Sequence, residues 1–137
     1  MTTNGNEKDT EECKILFEKD FPDKEYLFTD WKTAEMVKYF LNTFLATKVS
    51  FANEMFDICE AVGVSYSSML ELALFDKRLT KSHFLFPGPD GDRGFGGTCF
   101  PKDLNALIDF CAKKDIQTEV LTAVWNKNLK VRKNLDW

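Results

Sequence analysis

The feature that most constrains the fold of this chain is a helical pattern that runs without a break from Thr33 to about Val62. Its apolar members are Val37, Leu41, Phe44, Leu45, Val49, Ala52, Met55, Phe56 and Cys59. They recur every three or four residues, a spacing typical of one face of an α-helix. Thr33 is a suitable cap for this helix, and Gly63 is a suitable residue to end it. About 30 residues at 1.5 Å each predict a rod of roughly 45 Å.

The long helix also carries apolar side chains outside its main stripe, at Met36, Phe40 and Phe51. A helix that is apolar on more than one side needs more than one packing partner. We therefore interpret it as the helix of an isologous homodimer, packed against a second copy of the chain. The alternative is a monomeric helix with scattered exposed aromatic side chains, which are normal at protein surfaces.

Three shorter helices complete a predicted fold that is mainly α. They are expected at Ser65–Phe75, at Pro101 to about Lys114 and at Thr118 to about Lys133, where apolar residues again recur at helical spacing. The segment Lys77–Arg93 lies between the first two and is rich in proline, glycine and aspartate, so it is expected to be an irregular connector.

The composition argues against several functional classes. The chain has 137 residues, 44% of them hydrophobic and 29% charged, with a net charge of −4, which is typical of a globular domain and unlike a nucleic-acid-binding surface. No apolar run approaches the roughly 18–20 residues that span a membrane. Cys13, Cys59, Cys99 and Cys111 form no C-x-x-C pair, so we expect no metal site, free thiols and a cytoplasmic location.

The chemically informative residues are concentrated in Gly94–Asp103, which has the sequence GFGGTCFPKD. Glycines let the backbone approach a ligand closely, and Pro101 suits the first turn of a helix. Cys99 is therefore expected at or just before a helix N-terminus, where the helix dipole favours the nucleophilic thiolate. One alternative is a tight glycine turn that holds an inert cysteine. Another is a thiol hydrolase, which requires His83 within hydrogen-bonding reach of Cys99.

Three further residues have positions that suit catalysis. Lys38 and Asn42 lie four residues apart in the long helix and share one face. A lysine in the apolar arc needs an anionic partner or must reach solvent along its alkyl stem, and for Lys48 in the same arc we expect the second arrangement. Asp103 follows Cys99 by one helical turn, so both side chains can reach a common point. It is either a catalytic carboxylate or a capping group.

The segment GFGGTCFPKD resembles the catalytic cysteine motif of the UDP-glucose/GDP-mannose dehydrogenase family. Enzymes of this family oxidise an alcohol of a nucleotide sugar to a carboxylate in two NAD-dependent steps. A second segment, Thr33–Tyr39 followed by Asn42, is similar to the family's TAEMVK-x-x-x-N pattern at the head of its long central helix. The resemblance covers roughly residues 30–130, which is most of the chain.

The resemblance implies four catalytic roles. Cys99 is the nucleophile that holds the substrate as a thiohemiacetal and then as a thioester. Lys38 and Asn42 bind the reacting oxygen or an ordered water and stabilise the oxyanion. Asp103 orients or deprotonates the water that hydrolyses the thioester.

Contacts to the nucleotide sugar are implied as well. Arg78 matches an arginine that in the family reaches the sugar nucleotide of the neighbouring subunit. Lys102 is either a cofactor or substrate contact or a solvated lysine of the first helical turn. The segment Pro87–Arg93 is longer than the matching link in many members, which affects the loop contacts and leaves the cysteine motif intact. The remaining substrate-binding candidates are Phe84, Leu85, Gly94, Phe95, Gly96 and Gly97.

The same resemblance divides the chain into two parts. Residues 1–31 look like the C-terminal remnant of an N-terminal nucleotide-binding domain, with a helix predicted around Cys13–Phe21 and a strand at Tyr26–Thr29. Residues 32–137 look like the family's central helical domain, which serves catalysis and dimerisation. The chain has no G-x-G-x-x-G turn after a strand, so NAD is expected to bind mainly to a domain absent from this chain.

The function implied by the resemblance is that of the central domain of an NAD-dependent UDP-glucose 6-dehydrogenase, acting as a homodimer through the long helix. The polypeptide alone is expected to be an inactive fragment. One alternative is the corresponding domain of a GDP-mannose 6-dehydrogenase. A different class of protein is a non-catalytic helical dimerisation module that retains the motif.

Overall fold

The computed structural model describes residues 7–137 and confirms a mainly helical fold built on one long helix. The helices of this part of the chain are α1 Glu7–Asp20, α2 Trp31–Val62, α3 Tyr66–Ala73, α4 Cys99–Ala112 and α5 Glu119–Val131. The chain divides into two compact units, and the boundary between Phe40 and Leu41 falls inside α2.

In the first unit, α2 begins two residues before its predicted start. Asp30 caps the helix, because its carboxylate accepts hydrogen bonds from the Thr33 N–H at 3.1 Å and from the Thr33 hydroxyl at 2.6 Å. The hydrogen bond from the Thr33 hydroxyl is the main cause that lowers the pKa of Asp30. The prediction of Thr33 as the cap was wrong, since an aspartate three residues earlier is an equally good cap and places Thr33 inside the first turn.

The strand predicted at Tyr26–Thr29 is not formed. Thr29 makes an isolated bridge, and residues 26–28 have no regular structure. The Tyr26 hydroxyl instead donates to the carbonyl oxygens of Phe17 and Phe21, both at 3.0 Å, which ties this segment to the end of α1. A strand requires a neighbouring strand for its backbone hydrogen bonds, and residues 7–137 contain no sheet to supply one.

The second unit is held together by two apolar clusters along α2. The first consists of Ala46, Phe95, Leu104 and Val124, so it joins α2 to α4, α5 and the segment before α4. The second consists of Ala52, Cys59 and Tyr66, with partly buried side chains from α3 and from the connector packed around it. Gly63, at a φ of 72°, ends α2 as predicted, and the Val64 N–H closes the helix on the Cys59 carbonyl at 2.9 Å.

The predicted apolar stripe of α2 is only partly buried. Leu41 and Phe44 are 51% and 54% exposed, whereas the buried face is made of small and polar side chains. Its members are Thr43, Ala46, Lys48, Ser50, Ala52, Asn53 and Cys59. Ser50 of this face contacts α5 directly, because its hydroxyl donates to the Val124 carbonyl oxygen at 3.0 Å. Periodicity located the helix correctly, but it overestimated the burial of its large side chains.

Replacing Leu104 with alanine is expected to lower the free energy of unfolding by about 2–5 kcal/mol. Leu104 is 0% exposed and lies in the first cluster, so the shorter side chain leaves a cavity where contacts existed. Urea denaturation followed by the helical circular-dichroism signal measures the change. Leu72→Ala is the matched control, since Leu72 is 72% exposed and its truncation should cost less than about 0.5 kcal/mol. Equal losses in the two variants would contradict this placement of the core.

Candidate active site

Cys99 is the first residue of α4, which is where the motif predicts it. Its side chain is exposed, and the Thr98 hydroxyl oxygen lies 4.0 Å from its sulfur. Pro101 lies buried in the first turn, where its lack of an N–H costs nothing because that group has no partner inside a helix. The thiol is therefore accessible at the positive end of the helix dipole.

The glycine segment, which comprises residues 94–97 just before the Cys99 helix, is packed directly against α5. Asn128 is 0% exposed, and its side-chain oxygen accepts from the Phe95 N–H at 2.7 Å while its side-chain nitrogen donates to the Phe95 carbonyl at 2.9 Å. Gly94 has a φ of 66°, and a Cβ there would overlap the Asn128 side chain. Asn128 was missed by the sequence analysis. Its only signal is a polar residue within the apolar spacing of α5.

Asn42 and Asp103 are brought together in the second unit. The Asn42 side-chain nitrogen donates to one Asp103 carboxylate oxygen at 2.5 Å, and the Lys102 ammonium lies 3.2 Å from the other. Asp103 is only 2% exposed, so its charge is buried and depends on such partners. An amide nitrogen carries two N–H groups, and the contact with Asp103 uses one of them.

Lys38 lies in the first unit, one turn before Asn42 along α2. Its side chain is exposed, and its ammonium lies 5.5 Å from the centre of the Tyr39 ring. The side chain of Lys102 is 61% exposed. It lines a small cavity of about 370 Å³ together with Thr98 and Trp137.

A larger cavity of about 430 Å³ adjoins the glycine segment. Its lining includes five of the predicted substrate-binding residues, namely Leu85, Gly94, Phe95, Gly96 and Gly97. Phe84 packs elsewhere, with its ring 4.5 Å from the Lys48 ammonium and its carbonyl bound by the Tyr66 hydroxyl at 2.8 Å. Arg78 is exposed after the end of α3 and forms an ion pair with Asp76.

Lys48 does not reach solvent as expected. Only 9% of the residue is exposed, and its ammonium donates to the carbonyl and the hydroxyl of Thr80 at 3.3 and 3.1 Å. The Phe84 ring beneath the ammonium adds a cation–π contact. The expectation of a solvated lysine was wrong because the connector folds over this face of α2 and supplies polar partners inside the protein.

His83 does not form a dyad with Cys99. It hydrogen-bonds to Ser82, its ring lies 5.6 Å from the Phe100 ring, and no hydrogen bond within the described chain joins it to Cys99. Burial and then the nearby charge of Lys48 lower the pKa of His83 and favour the neutral imidazole. The contact that a thiol hydrolase requires is therefore not formed.

Arg93 ties the connector to α2. Its guanidinium contacts Asp57 at 2.5 Å and the side-chain oxygen of Asn53 at 3.2 Å. Lys127 of α5 approaches the other oxygen of Asp57 at 2.7 Å. Burial raises the pKa of Asp57, but the hydrogen bonds from Lys127 and Arg93 outweigh it and the net pKa is lowered. Through Asp57 the cluster joins the end of the connector to both α2 and α5.

The described residues lack both a metal-binding cluster and a membrane-spanning helix. Residues 7–137 contain no group of three or more histidine, cysteine, aspartate or glutamate side chains arranged to hold a metal ion. Across the same range, no helix combines the length and the apolar character that crossing a membrane requires.

Comparison with known proteins decides the family. Residues 32–130 match the family model described as the UDP-glucose/GDP-mannose dehydrogenase family, central domain. The chain belongs to this family. Cys99, Asn42 and Asp103 all lie within the matched range.

Individual members of the family are similar over most of the chain. The UDP-glucose 6-dehydrogenase of Rickettsia bellii is 42% identical over 104 residues, which are 76% of this chain and 23% of that protein. The UDP-glucose 6-dehydrogenase YwqF of Bacillus subtilis is 44% identical over 100 residues, 73% of this chain and 22% of that protein. A solved UDP-glucose dehydrogenase from the archaeon Pyrobaculum islandicum superposes with a TM-score of 0.80 at 32% identity, covering 92% of this chain and 28% of that one. The chain thus spans about a quarter of the length of these family members.

Cys99 is expected to react with iodoacetamide about tenfold faster than Cys13. The ratio of its rate to those of Cys59 and Cys111 should be larger. Cys13 is the informative comparison because it is also exposed but lies in the middle of α1. Cys59, by contrast, is buried. Mass spectrometry of peptides after timed alkylation measures the four rates in one sample. Equal rates for Cys99 and Cys13 would show that exposure alone controls reactivity and that the helix start contributes nothing.

Proposed function

We propose that this chain is the central catalytic domain of an NAD-dependent UDP-glucose 6-dehydrogenase. The observation that carries the proposal is the exposed Cys99 at the start of α4, preceded by a glycine segment that lines a cavity and followed one turn later by the buried Asp103. Relatives named UDP-glucose 6-dehydrogenase support UDP-glucose as the substrate. GDP-mannose is the alternative within the family.

The proposed reaction uses the sulfur of Cys99 twice. The C6 alcohol of the sugar is first oxidised to an aldehyde, and the thiolate then adds to the aldehyde carbon to form a thiohemiacetal. A second oxidation of that carbon gives a thioester, from which the same sulfur leaves when water attacks. The products are a carboxylate and the regenerated thiol, so the enzyme returns to its starting state.

Asn42, Asp103 and Lys38 have distinct roles in this proposal. Asn42, which donates to Asp103 in the structure, holds the carboxylate in place and keeps a second N–H for the reacting oxygen. Asp103 accepts a proton from the hydrolytic water or orients it. Lys38 supplies a positive charge from the same helix as Asn42, one turn earlier. Leu85, Phe95 and the glycines of the larger cavity contact the sugar nucleotide.

NAD supplies the hydride acceptor for both oxidations. Residues 7–137 contain no parallel sheet with a glycine-rich turn, which is the usual dinucleotide site. We propose that parts of a longer protein bind NAD, with residues 1–31 as the end of that domain and 32–137 as the central domain. Within this chain, we propose that Lys102 contacts the cofactor. The four free thiols suit a reducing cytoplasm.

We also propose that the chain forms a homodimer through α2. Phe44, Phe51 and Ile58 are 54%, 56% and 48% exposed on this helix, and exposed apolar residues in such a row mark an interaction surface. A second copy that presents the same face is the simplest partner, because an isologous interface needs only one surface. Arg78, which is exposed, is then the residue that reaches the substrate of the neighbouring subunit.

The catalytic proposal is tested in a chimera in which residues 32–130 replace the matching segment of the Rickettsia bellii enzyme. NADH formation from UDP-glucose is expected, at a rate above that with GDP-mannose, and Cys99→Ser should lower it by about 10²-fold or more. Cys111→Ser is the matched control and should change the rate less than twofold. The 137-residue chain alone should show no turnover. A chimera in which Cys99→Ser keeps the full rate would remove the nucleophile from the mechanism.

The dimer proposal is tested by the oligomeric state. Phe51→Asp places a charge at the centre of the exposed α2 face and should convert the dimer to a monomer, because an unpaired carboxylate is costly in an apolar interface. Light scattering after size-exclusion chromatography measures the mass. Leu72→Asp on α3, at a residue 72% exposed, should leave the dimer intact. A wild-type chain that remains a monomer at high concentration rules the proposal out.

A further inference from the structure

Arg132, directly after the end of α5, is a buried positive charge with three carboxylate partners. Its side chain is 1% exposed. The guanidinium contacts Asp90 at 2.6 Å, Asp136 at 3.1 Å and, at a longer 3.7 Å, Asp92. A buried guanidinium is strongly destabilising unless it is paired. If one of the three carboxylates moved away, the buried charge of Arg132 would lose a partner. Arg132 therefore holds in place the segments that carry them.

The carboxylate of Asp92 continues the network into the backbone of the C-terminal segment. The Asp92 oxygen nearest Arg132 also accepts from the N–H groups of Lys133 and Asn134, at 3.1 and 2.9 Å. The Arg132 side chain in turn donates to the Asn134 carbonyl at 2.8 Å. The connector around 90–92 and the C-terminal segment 132–136 are thereby joined into one hydrogen-bonded structure.

The carboxylate of Asp136 connects this hydrogen-bonded structure to the segment before Cys99. The Asp136 oxygen that contacts Arg132 also accepts from the Gly97 N–H at 3.1 Å. At Gly96 a Cβ would overlap both the Arg132 guanidinium and the Asp136 carboxylate, so the two side chains lie against the backbone there. Gly97 precedes Cys99 by only two residues. The hydrogen bond from Gly97 to Asp136 therefore holds the backbone at the point where the chain enters α4.

The charge state of Asp136 agrees with this arrangement. The hydrogen bond from Gly97 is the main cause that lowers the pKa of Asp136, and the contribution of Arg132 acts in the same direction. The carboxylate form, which can accept from both partners at once, is the form present at neutral pH. Asp136 also lines the larger cavity beside Gly96 and Gly97.

We propose that Arg132 and Asp136 are positioning residues that hold the backbone before Cys99 and thereby set the reactivity of its thiol. Neither residue needs to touch the substrate for this role. The proposal deepens the proposed function and rests on it only for the catalytic part that Cys99 plays. It also assigns a purpose to Asp90 and Asp92 in the connector, which provide the charge that keeps Arg132 buried in place.

The test compares Asp136→Ala and the isosteric Asp136→Asn with wild type in the 137-residue chain. The readout is the alkylation rate of Cys99 by iodoacetamide divided by that of Cys111 in the same molecule. We expect the ratio to fall by roughly three- to tenfold in Asp136→Ala, which corresponds to the net contribution of one ordinary hydrogen bond, and by less in Asp136→Asn. Amide hydrogen exchange of peptides covering 94–98 should accelerate by a similar factor.

Asp115→Asn is the matched control, since it removes an exposed carboxylate after α4 and should leave the ratio unchanged. A merely structural role for Asp136 would lower the unfolding temperature without altering the ratio, and that result would overturn the proposal. Asp136→Asn preserves the shape of the side chain, so the comparison holds if the alanine variant fails to fold. Because the readout is thiol reactivity and exchange, its outcome is separate from whether the chimera oxidises UDP-glucose.

Discussion

The position of the glycine segment depends above all on the pairing of Asn128 with the backbone of Phe95. The amide side chain is fully buried and uses one donor and one acceptor on the same residue. Leaving either buried group without its partner would cost about 1–3 kcal/mol. Once this pairing is made, the Phe95 ring enters the cluster with Ala46, Leu104 and Val124. The segment before Cys99 is therefore anchored in the hydrophobic core through Phe95.

This anchoring explains how an exposed cysteine can have a defined environment. Cys99 is accessible, yet the residues on both sides of it are held. Pro101 and Leu104 are buried on α4, and Gly97 is bound by Asp136. A thiol on a mobile loop would sample many environments, whereas here the start of α4 has one position. The buried Asp103 then lies at a fixed place one turn further along the same helix.

Features that depend on neighbouring residues in the chain could be predicted from the sequence, and features that depend on distant residues could not. The course of α2, its end at Gly63 and the start of α4 near Pro101 follow from local spacing and local backbone preferences. The capping of α2 is local too, but Asp30 and Thr33, three residues apart, are both suitable caps and the sequence does not rank them. The strand at 26–29 failed because a strand needs a partner from elsewhere.

The candidate site shows the same difference between features set by neighbouring residues and features set by distant ones. The Cys99 motif and its cavity-lining glycines are contiguous and visible in the sequence. The partners that hold them are not, because Asn128 is 33 residues from Phe95 and Arg132 is 42 residues from Asp90. The burial of Lys48 likewise depends on Thr80, 32 residues away. A lysine in an apolar stripe has the same local pattern whether it reaches solvent or finds such a partner.

The division of side chains on α2 gives a physical reason why one chain does not bury this helix alone. The inward face carries Ala46, Ser50 and Ala52, which provide little apolar area, and Ser50 hydrogen-bonds to α5. Phe44 and Phe51 remain about half exposed, and burying the remaining half of each side chain stabilises by about 0.8–1.5 kcal/mol. Small residues inside and large ones outside are opposite to the arrangement of an ordinary surface helix. In the proposed homodimer the outer residues supply the association energy, while the inner ones keep α4, and with it Cys99, close to the helix that carries Asn42.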